Sequence, residues 1–104
     1  MSAVPQTEML DQHMVALDRA RQVRSDRARV KRAVAAGRMT LLGAIEDPCC
    51  RSMLLIDLMC CQRHVGRVRA SRALRMLEIG ERRLVGDLTE RQRGLIARLT
   101  WGEL

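Results

Sequence analysis

Apolar residues recur at helical spacing along most of the chain, and glycine or proline interrupts the pattern at only a few places. Residues 1–8 are polar and contain Pro5, which predicts a loose tail. From Glu8 to Ala36 there is neither glycine nor proline. This stretch predicts one long helix, which ends where Gly37 can take a left-handed conformation.

Four shorter helices are predicted after the long one. Thr40 can act as the N-cap of the first. Asp47 and Pro48 are suited to begin the second as cap and first helical residue, and its apolar residues on most sides make it the expected centre of the core. Thr89 and Gln92 have capping-box spacing at the start of the last helix. The predicted ranges are 41–45, 48–61, 67–77 and 89–99, with Val68, Leu74, Leu77, Leu95, Ile96 and Leu99 facing inward.

Two apolar stripes run along the predicted long helix, on sides that differ by more than about 100°. The stripe that can dock on a core consists of Val23, Val30 and Val34. The other stripe consists of Leu10, Met14 and Leu17, and its direction is continued by the basic residues Arg21, Arg24, Lys31 and Arg32. We therefore expect the front half to project as an arm, which could dock on a helical protein partner, and the back half to pack inward.

Composition narrows the fold class. The chain has 104 residues, enough for one domain, and its core must be aliphatic because Phe and Tyr are absent and Trp101 is the single aromatic residue. Leu, Ala and Met favour helices packed on helices, so we predict an all-α protein. No stretch approaches the roughly 20 apolar residues of a membrane span, and no export signal is evident. We expect a cytoplasmic protein that is monomeric when free and has no contact with membranes.

The charge is strongly basic. The formal net charge of +7 arises from one Lys and 18 Arg against 12 acidic residues. Such a balance favours polyanionic partners, but by itself it does not separate DNA from RNA, acidic membranes or acidic proteins.

An anion-binding site is predicted at Gly66, where the fourth helix begins. The first N–H groups of a helix have no partner within it and lie at the positive end of its dipole, which suits a phosphate group. Arg67 and Arg69 on the first turn add charged donors. Their placement opposes the helix dipole, and a bound anion would relieve that cost.

Several dispersed segments resemble the actinobacterial integration host factor family, of the mycobacterial and streptomycete type. They are Ala16-Leu17-Asp18-Arg19-Ala20, Arg27-Ala28-Arg29-Val30-Lys31, Thr40-Leu41-Leu42, Val65-Gly66-Arg67-Val68-Arg69-Ala70, Leu77-Glu78-Ile79 and Arg82-Arg83, in the family's order and approximate spacing. The resemblance implies a long N-terminal helix followed by a compact helical domain with a helix-two-turn-helix motif. Residues 1–15 would be the tail and the start of the arm, and residues 16–104 the DNA-binding domain. The implied function is low-specificity binding of double-stranded DNA in the nucleoid, with bending or compaction of the duplex and, in some hosts, assistance to phage site-specific integration.

The turn before the fourth helix departs from the family pattern, which reads Pro-Gly-Val-Gly-Lys-Val-Arg-Ala. Here Arg63 and His64 replace the first two residues. A Gly permits positive φ, and His tolerates that conformation better than most residues. The predicted DNA-binding residues are Arg63, His64, Gly66, Arg67, Arg69, Arg72, Arg82, Arg83, Arg21, Arg24, Lys31 and Arg32.

Two other functions stay open from the residues alone. Structured RNA is one, although the chain lacks the aromatic side chains that stack on unpaired bases. A protein-interaction module that uses the arm is the other. Catalysis is not expected, because His13 and His64 have no evident nucleophile or metal partner and no phosphate-binding loop motif is present. We expect no cofactor.

The four cysteines form two adjacent pairs, Cys49-Cys50 and Cys60-Cys61. On one straight helix the pairs would lie about 16 Å apart, and adjacent cysteines lack the spacing of zinc modules. We interpret them as reduced, small apolar filler and expect no metal site; the sequence gives a redox role no support.

Overall fold

The computed structural model describes residues 6–104, without the side chains of residues 6–11 and Glu103. Within this range the chain is all-helical, as predicted, with five α-helices and three short 3₁₀-helices. The α-helices are α1 (Gln6–Ala35), α2 (Leu41–Ile45), α3 (Leu55–Met59), α4 (Arg67–Met76) and α5 (Glu90–Ala97). The 3₁₀-helices are Pro48–Cys50, Val85–Asp87 and Trp101–Glu103. Residues 1–5 of the predicted tail lie outside the described part, and residues 6–8 already belong to α1.

The long helix α1 ends at the predicted glycine. Gly37 has a φ of +76°, and its N–H donates to the carbonyl oxygen of Val34 over 3.1 Å. The N–H of Arg38 donates to the carbonyl oxygen of Ala33 over 2.9 Å. These two bonds form a Schellman motif, which satisfies carbonyl groups that the helix end would leave without partners.

Among the described side chains of α1, those of its C-terminal part pack on the rest of the molecule, which we call the body (residues 39–104). Val30 and Val34 are 1% and 4% exposed and belong to the core. Val23 was predicted to join them, but it is 38% exposed, because the body does not reach that far along the helix. Met14 and Leu17 are 59% and 40% exposed, as expected of a projecting arm, whereas the side chain of Leu10 lies outside the described ones. We call residues 12–26 the arm.

The predicted single helix over residues 48–61 is wrong. Asp47 does cap its start, with Oδ1 accepting from the N–H of Cys49 over 3.0 Å, but only a 3₁₀-helix follows. Leu54 is extended and pairs with Leu84 in an isolated antiparallel bridge. The N–H of Leu55 donates to the Arg83 carbonyl oxygen over 3.0 Å, so this backbone bonds to a distant segment instead of to its own helix. The two cysteine pairs therefore do not lie on one straight helix.

The core is aliphatic and sulfur-containing, as the composition required. Its largest fully buried side chains are Leu55, Ile56, Leu58, Met59, Leu74, Val30, Val85 and Cys50. None of the described polar or charged side chains is buried.

Two of the helices turn their side chains differently from the prediction. Helix α4 faces the core with Ala70, Ala73 and Leu74, while Val68 is 74% exposed, contrary to expectation. Val68 lies six residues before Leu74, about 240° round the helix, so the two cannot share an inward face. Leu77, Leu95 and Leu99 are only half-buried, and of the last helix's predicted residues Ile96 alone is fully in the core.

Two further predicted caps, besides Asp47, are confirmed. Thr40 accepts a hydrogen bond from the N–H of Gly43 over 3.0 Å. Thr89 and Gln92 form the complete capping box at the start of α5, with hydrogen bonds of 3.0 and 3.1 Å. Among the residues that the structure describes, no helix is long and apolar enough to cross a membrane.

Candidate nucleic-acid interface

The turn between α3 and α4 takes the conformation that the sequence allowed. His64 has a φ of +67°, in the left-handed region that glycine favours. Its carbonyl oxygen accepts a hydrogen bond from Nη1 of Arg69 over 3.0 Å. Val65 is buried, and its N–H donates to the Gln62 carbonyl oxygen over 3.2 Å. The turn is therefore held both by packing and by the side chain of Arg69.

The start of α4 leaves backbone donors available. Gly66 is the N-cap, with φ −88° and ψ 177°, and no side chain caps the helix. The N–H groups of residues 67–69 belong to the first turn of α4, where helical geometry provides no acceptor within the helix, and they lie at the positive end of its dipole. A Cβ placed on Gly66 would meet no atom within 4 Å, so no other element packs against the N-cap position on that side.

A shallow groove on the exposed side of α4 brings three arginines together. It is lined by Arg67, Val68, Ser71, Arg72 and Arg75. Arg67 was predicted as a binding residue together with Arg72, whereas Arg75 was not. Arg72 and Arg75 are three residues apart and follow Val68 by four and seven. From this helical spacing, Arg75 could have been predicted to lie on the same face of α4 as Arg72.

Acidic side chains border this groove. Nη1 of Arg67 lies 3.5 Å from Oδ1 of Asp57, in an ion pair whose side chains are 67% and 46% exposed. Such exposed pairs contribute about 0–1 kcal/mol, so a phosphate group can compete for Arg67. Ser71 donates a hydrogen bond from Oγ to Glu81.

The remaining predicted residues of the body lie apart from the groove. Arg69 is half-buried and turned back onto the His64 carbonyl group, so its first role is to hold the turn. Arg63 lines a different depression, between the turn and the C-terminal end of α1. Arg82 and Arg83 line a third, with Gly80 and Asp87.

The four predicted binding residues of α1 divide into two pairs. Arg24 and Lys31 are two turns apart and so lie on nearly the same side, about 10 Å from each other along the axis. Burial raises the pKa of the Cys61 thiol, and the positive charge of Lys31 opposes that rise. Arg21 and Arg32 lie further round the helix, and Arg21 pairs with Asp18 of its own helix over 3.8 Å.

The cysteines are free thiols in a largely apolar environment. The sulfur atoms of Cys49 and Cys50 are 3.8 Å apart, and all four residues pack on the core. Burial, followed by hydrogen bonds with Asp47 and Cys50, raises the pKa of Cys49 to about 12, and burial also raises the pKa of the other three. In the described part of the chain, no group of three or more His, Cys, Asp or Glu residues is placed to hold a metal ion.

Comparison with known proteins gives a structural relative. Neither the models of protein families nor the curated proteins compared with this chain match it. A solved structure of sIHF bound to an 8 bp palindromic DNA is similar, with a TM-score of 0.72 and 28% sequence identity, over 78% of this chain and 96% of that one. The chain has the fold of an integration-host-factor-type protein. The resemblance that its sequence suggested is thus supported for the fold.

Proposed function

We propose that this protein binds double-stranded DNA through the phosphate backbone, at the start of α4 and the groove beside it. The observation that carries the proposal is the start of α4, which no side chain caps, together with the adjoining groove lined by the exposed Arg67, Arg72 and Arg75. Backbone amides and guanidinium groups are the donors that phosphate oxygens prefer. The similar fold of sIHF, solved with DNA, favours duplex DNA over other polyanions.

The chemistry of this surface makes binding weakly specific. Its donors suit phosphate oxygens, and such contacts fix position on a duplex without reading bases. Arg24 and Lys31 lie on nearly the same side of α1, and we propose that they contact an adjoining stretch of the DNA backbone. Arg63, Arg82 and Arg83 would extend the positive surface, and Arg21 and Arg32 would contribute to the field at longer range. A protein that grips backbone at several points can bend or compact DNA, and we propose such an architectural, non-enzymatic role in the nucleoid.

Removal of two groove arginines tests the proposal. In the double variant Arg67→Ala/Arg72→Ala, affinity should fall about 10-fold or more for three unrelated duplexes alike, because two charge-assisted contacts are lost at about 1 kcal/mol or more each. Fluorescence anisotropy at fixed salt concentration measures the change.

A matched control separates the groove from net charge. Arg91→Ala/Arg98→Ala removes the same charge from exposed positions outside the groove and should change affinity much less. Equal losses in the two double variants would mean that only the overall charge matters. A strong preference for one of the three duplexes would contradict backbone recognition.

A competition experiment with structured RNA tests whether the surface prefers duplex DNA or RNA. We expect an RNA hairpin of equal length to displace less protein than duplex DNA does. A clear preference for the hairpin would assign the same surface to RNA.

The exposed apolar side chains of the arm support a second candidate function, docking on an amphipathic helix of a partner protein. Met14 and Leu17 are 59% and 40% exposed on one side of α1. The variant Met14→Arg/Leu17→Arg should abolish capture of such a partner while Arg67→Ala leaves it intact. Loss of capture in Arg67→Ala, or its survival in the arm variant, would count against this candidate.

A further inference from the structure

One side chain ties the long helix to the body where apolar packing ends. Val30 is buried and Val23, two turns earlier on nearly the same side, is exposed. Arg27 lies between them and is half-buried. Its Nε donates to the Cys49 carbonyl oxygen over 2.9 Å, and its Nη2 donates to the hydroxyl group of Ser52.

Cys49, whose carbonyl oxygen accepts from Arg27, is itself held by a further hydrogen bond. Asp47 accepts from the N–H of Cys49 and so holds that part of the body in the 3₁₀-helix. A hydrogen bond with Cys49 also lowers the pKa of Asp47, which keeps the capping carboxylate ionised near neutral pH. Arg27 therefore bonds to a backbone segment that Asp47 caps.

Other charged residues of α1 do not make this link. Arg21 and Arg29 pair with Asp18 and Asp26 of their own helix, over 3.8 and 3.4 Å. Among the described side chains of α1, hydrogen bonds to the body come from Arg27. Two donors on one planar guanidinium group fix a direction, which a single bond or a lysine ammonium group does not.

We propose that Arg27 is a positioning residue, which fixes the direction of the arm so that Arg24 faces the duplex held at the start of α4. Arg24 lies beside Arg27 on a shallow groove that Ala20 and Val23 also line. A change in the direction of α1 at Arg27 moves Arg24 and the whole arm while Val30 and Val34 stay packed. This inference rests on the proposed DNA binding.

The test is the variant Arg27→Lys, which keeps the charge and removes the two-donor geometry. Its matched control is Arg29→Lys, on the same helix but 71% exposed and paired only with Asp26. Spin labels on unnatural residues at positions 17 and 98 report the distance between arm and body. We expect a broadened distance distribution in Arg27→Lys and an unchanged one in Arg29→Lys.

DNA binding supplies the second readout. In Arg27→Lys, affinity should fall about 3- to 10-fold, and the slope of log K against log salt should decrease by about 1, because one phosphate contact is worth about 0.9 in that slope. Reduced stability alone leaves the slope of the folded protein unchanged. Ser52→Ala, which keeps the Cys49 partner, should give a smaller change in the same direction.

Two outcomes would overturn the proposal. An unchanged distance distribution means that packing alone fixes the arm. A broadened distribution with unchanged affinity and slope means that the direction of the arm has no effect on DNA. If the wild-type protein binds no duplex, the proposed function fails, while the spin-label distances still show whether Arg27 holds the arm.

Discussion

The two parts of α1 consist of similar residues, but different forces decide their structure. Val30 and Val34 are buried against the body. In the arm, Val23, Met14 and Leu17 are exposed although they are just as apolar. Helix propensity and the absence of glycine and proline explain that both parts are helical. They do not explain where packing stops, because that depends on the reach of the body.

The largest expected contrast between arm and body is in stability. Leu58→Ala in the core should lower the free energy of unfolding by about 2–5 kcal/mol, because it leaves a cavity. Leu17→Ala in the arm should change it by less than about 0.5 kcal/mol, because the side chain is already 40% exposed. Urea unfolding measures both. Similar losses in the two variants would show that the arm is packed in solution.

The two histidines allow the backbone conformation of the body to be compared with that of the arm. His64→Val should destabilise the protein by about 1–2 kcal/mol, because a β-branched residue resists the positive φ at this position. His13→Val, in the exposed and helical arm, should cost only a few tenths of a kcal/mol, since His and Val have similar helix propensities. Thermal unfolding followed by circular dichroism compares them, with His64→Asn as the variant expected to keep the turn. A stable His64→Val protein would mean that the turn does not need a left-handed residue.

The acidic residues are expected to affect the affinity for DNA more than the stability. Asp57→Asn should change stability by less than about 1 kcal/mol, because its pair with Arg67 is exposed. It should nevertheless raise affinity for DNA about 2- to 5-fold, since it removes a negative charge beside the groove and frees Arg67. Asp18→Asn removes the same charge from the arm, where the pair with Arg21 is 71% exposed on both sides, and should do less. Equal gains would show that position within the field does not matter.

Local signals in the sequence predicted much of the fold. The end of α1 at Gly37, the caps at Thr40, Asp47 and Thr89, and the tolerance of His64 for positive φ depend on residues within a few positions. The break at Leu54 could not be predicted this way, because the partners of that backbone lie about 30 residues later, at Arg83 and Val85. Tertiary pairing overrode a locally helical sequence.

The candidate site was predicted only in part, because some of its residues also depend on contacts with distant parts of the chain. Arg67 and Arg72 could be placed beside the start of α4 from the turn alone. Arg75 follows Arg72 by three residues, and this spacing carried the signal that it lies on the same face, but it was not among the predicted binding residues. Arg69 and Arg27 are used within the molecule, and the sequence gives no sign of their distant or folded-back partners, His64 and Cys49.

The most direct test of DNA recognition at the start of α4 is a salt titration of the wild-type protein and the Arg67→Ala/Arg72→Ala variant on one duplex. Each phosphate contact contributes about 0.9 to the slope of log K against log salt. The slope of the variant should therefore be smaller by about 2, while Arg91→Ala/Arg98→Ala should keep a slope close to that of the wild type. Equal slopes in the wild type and the groove variant would contradict phosphate binding at this groove.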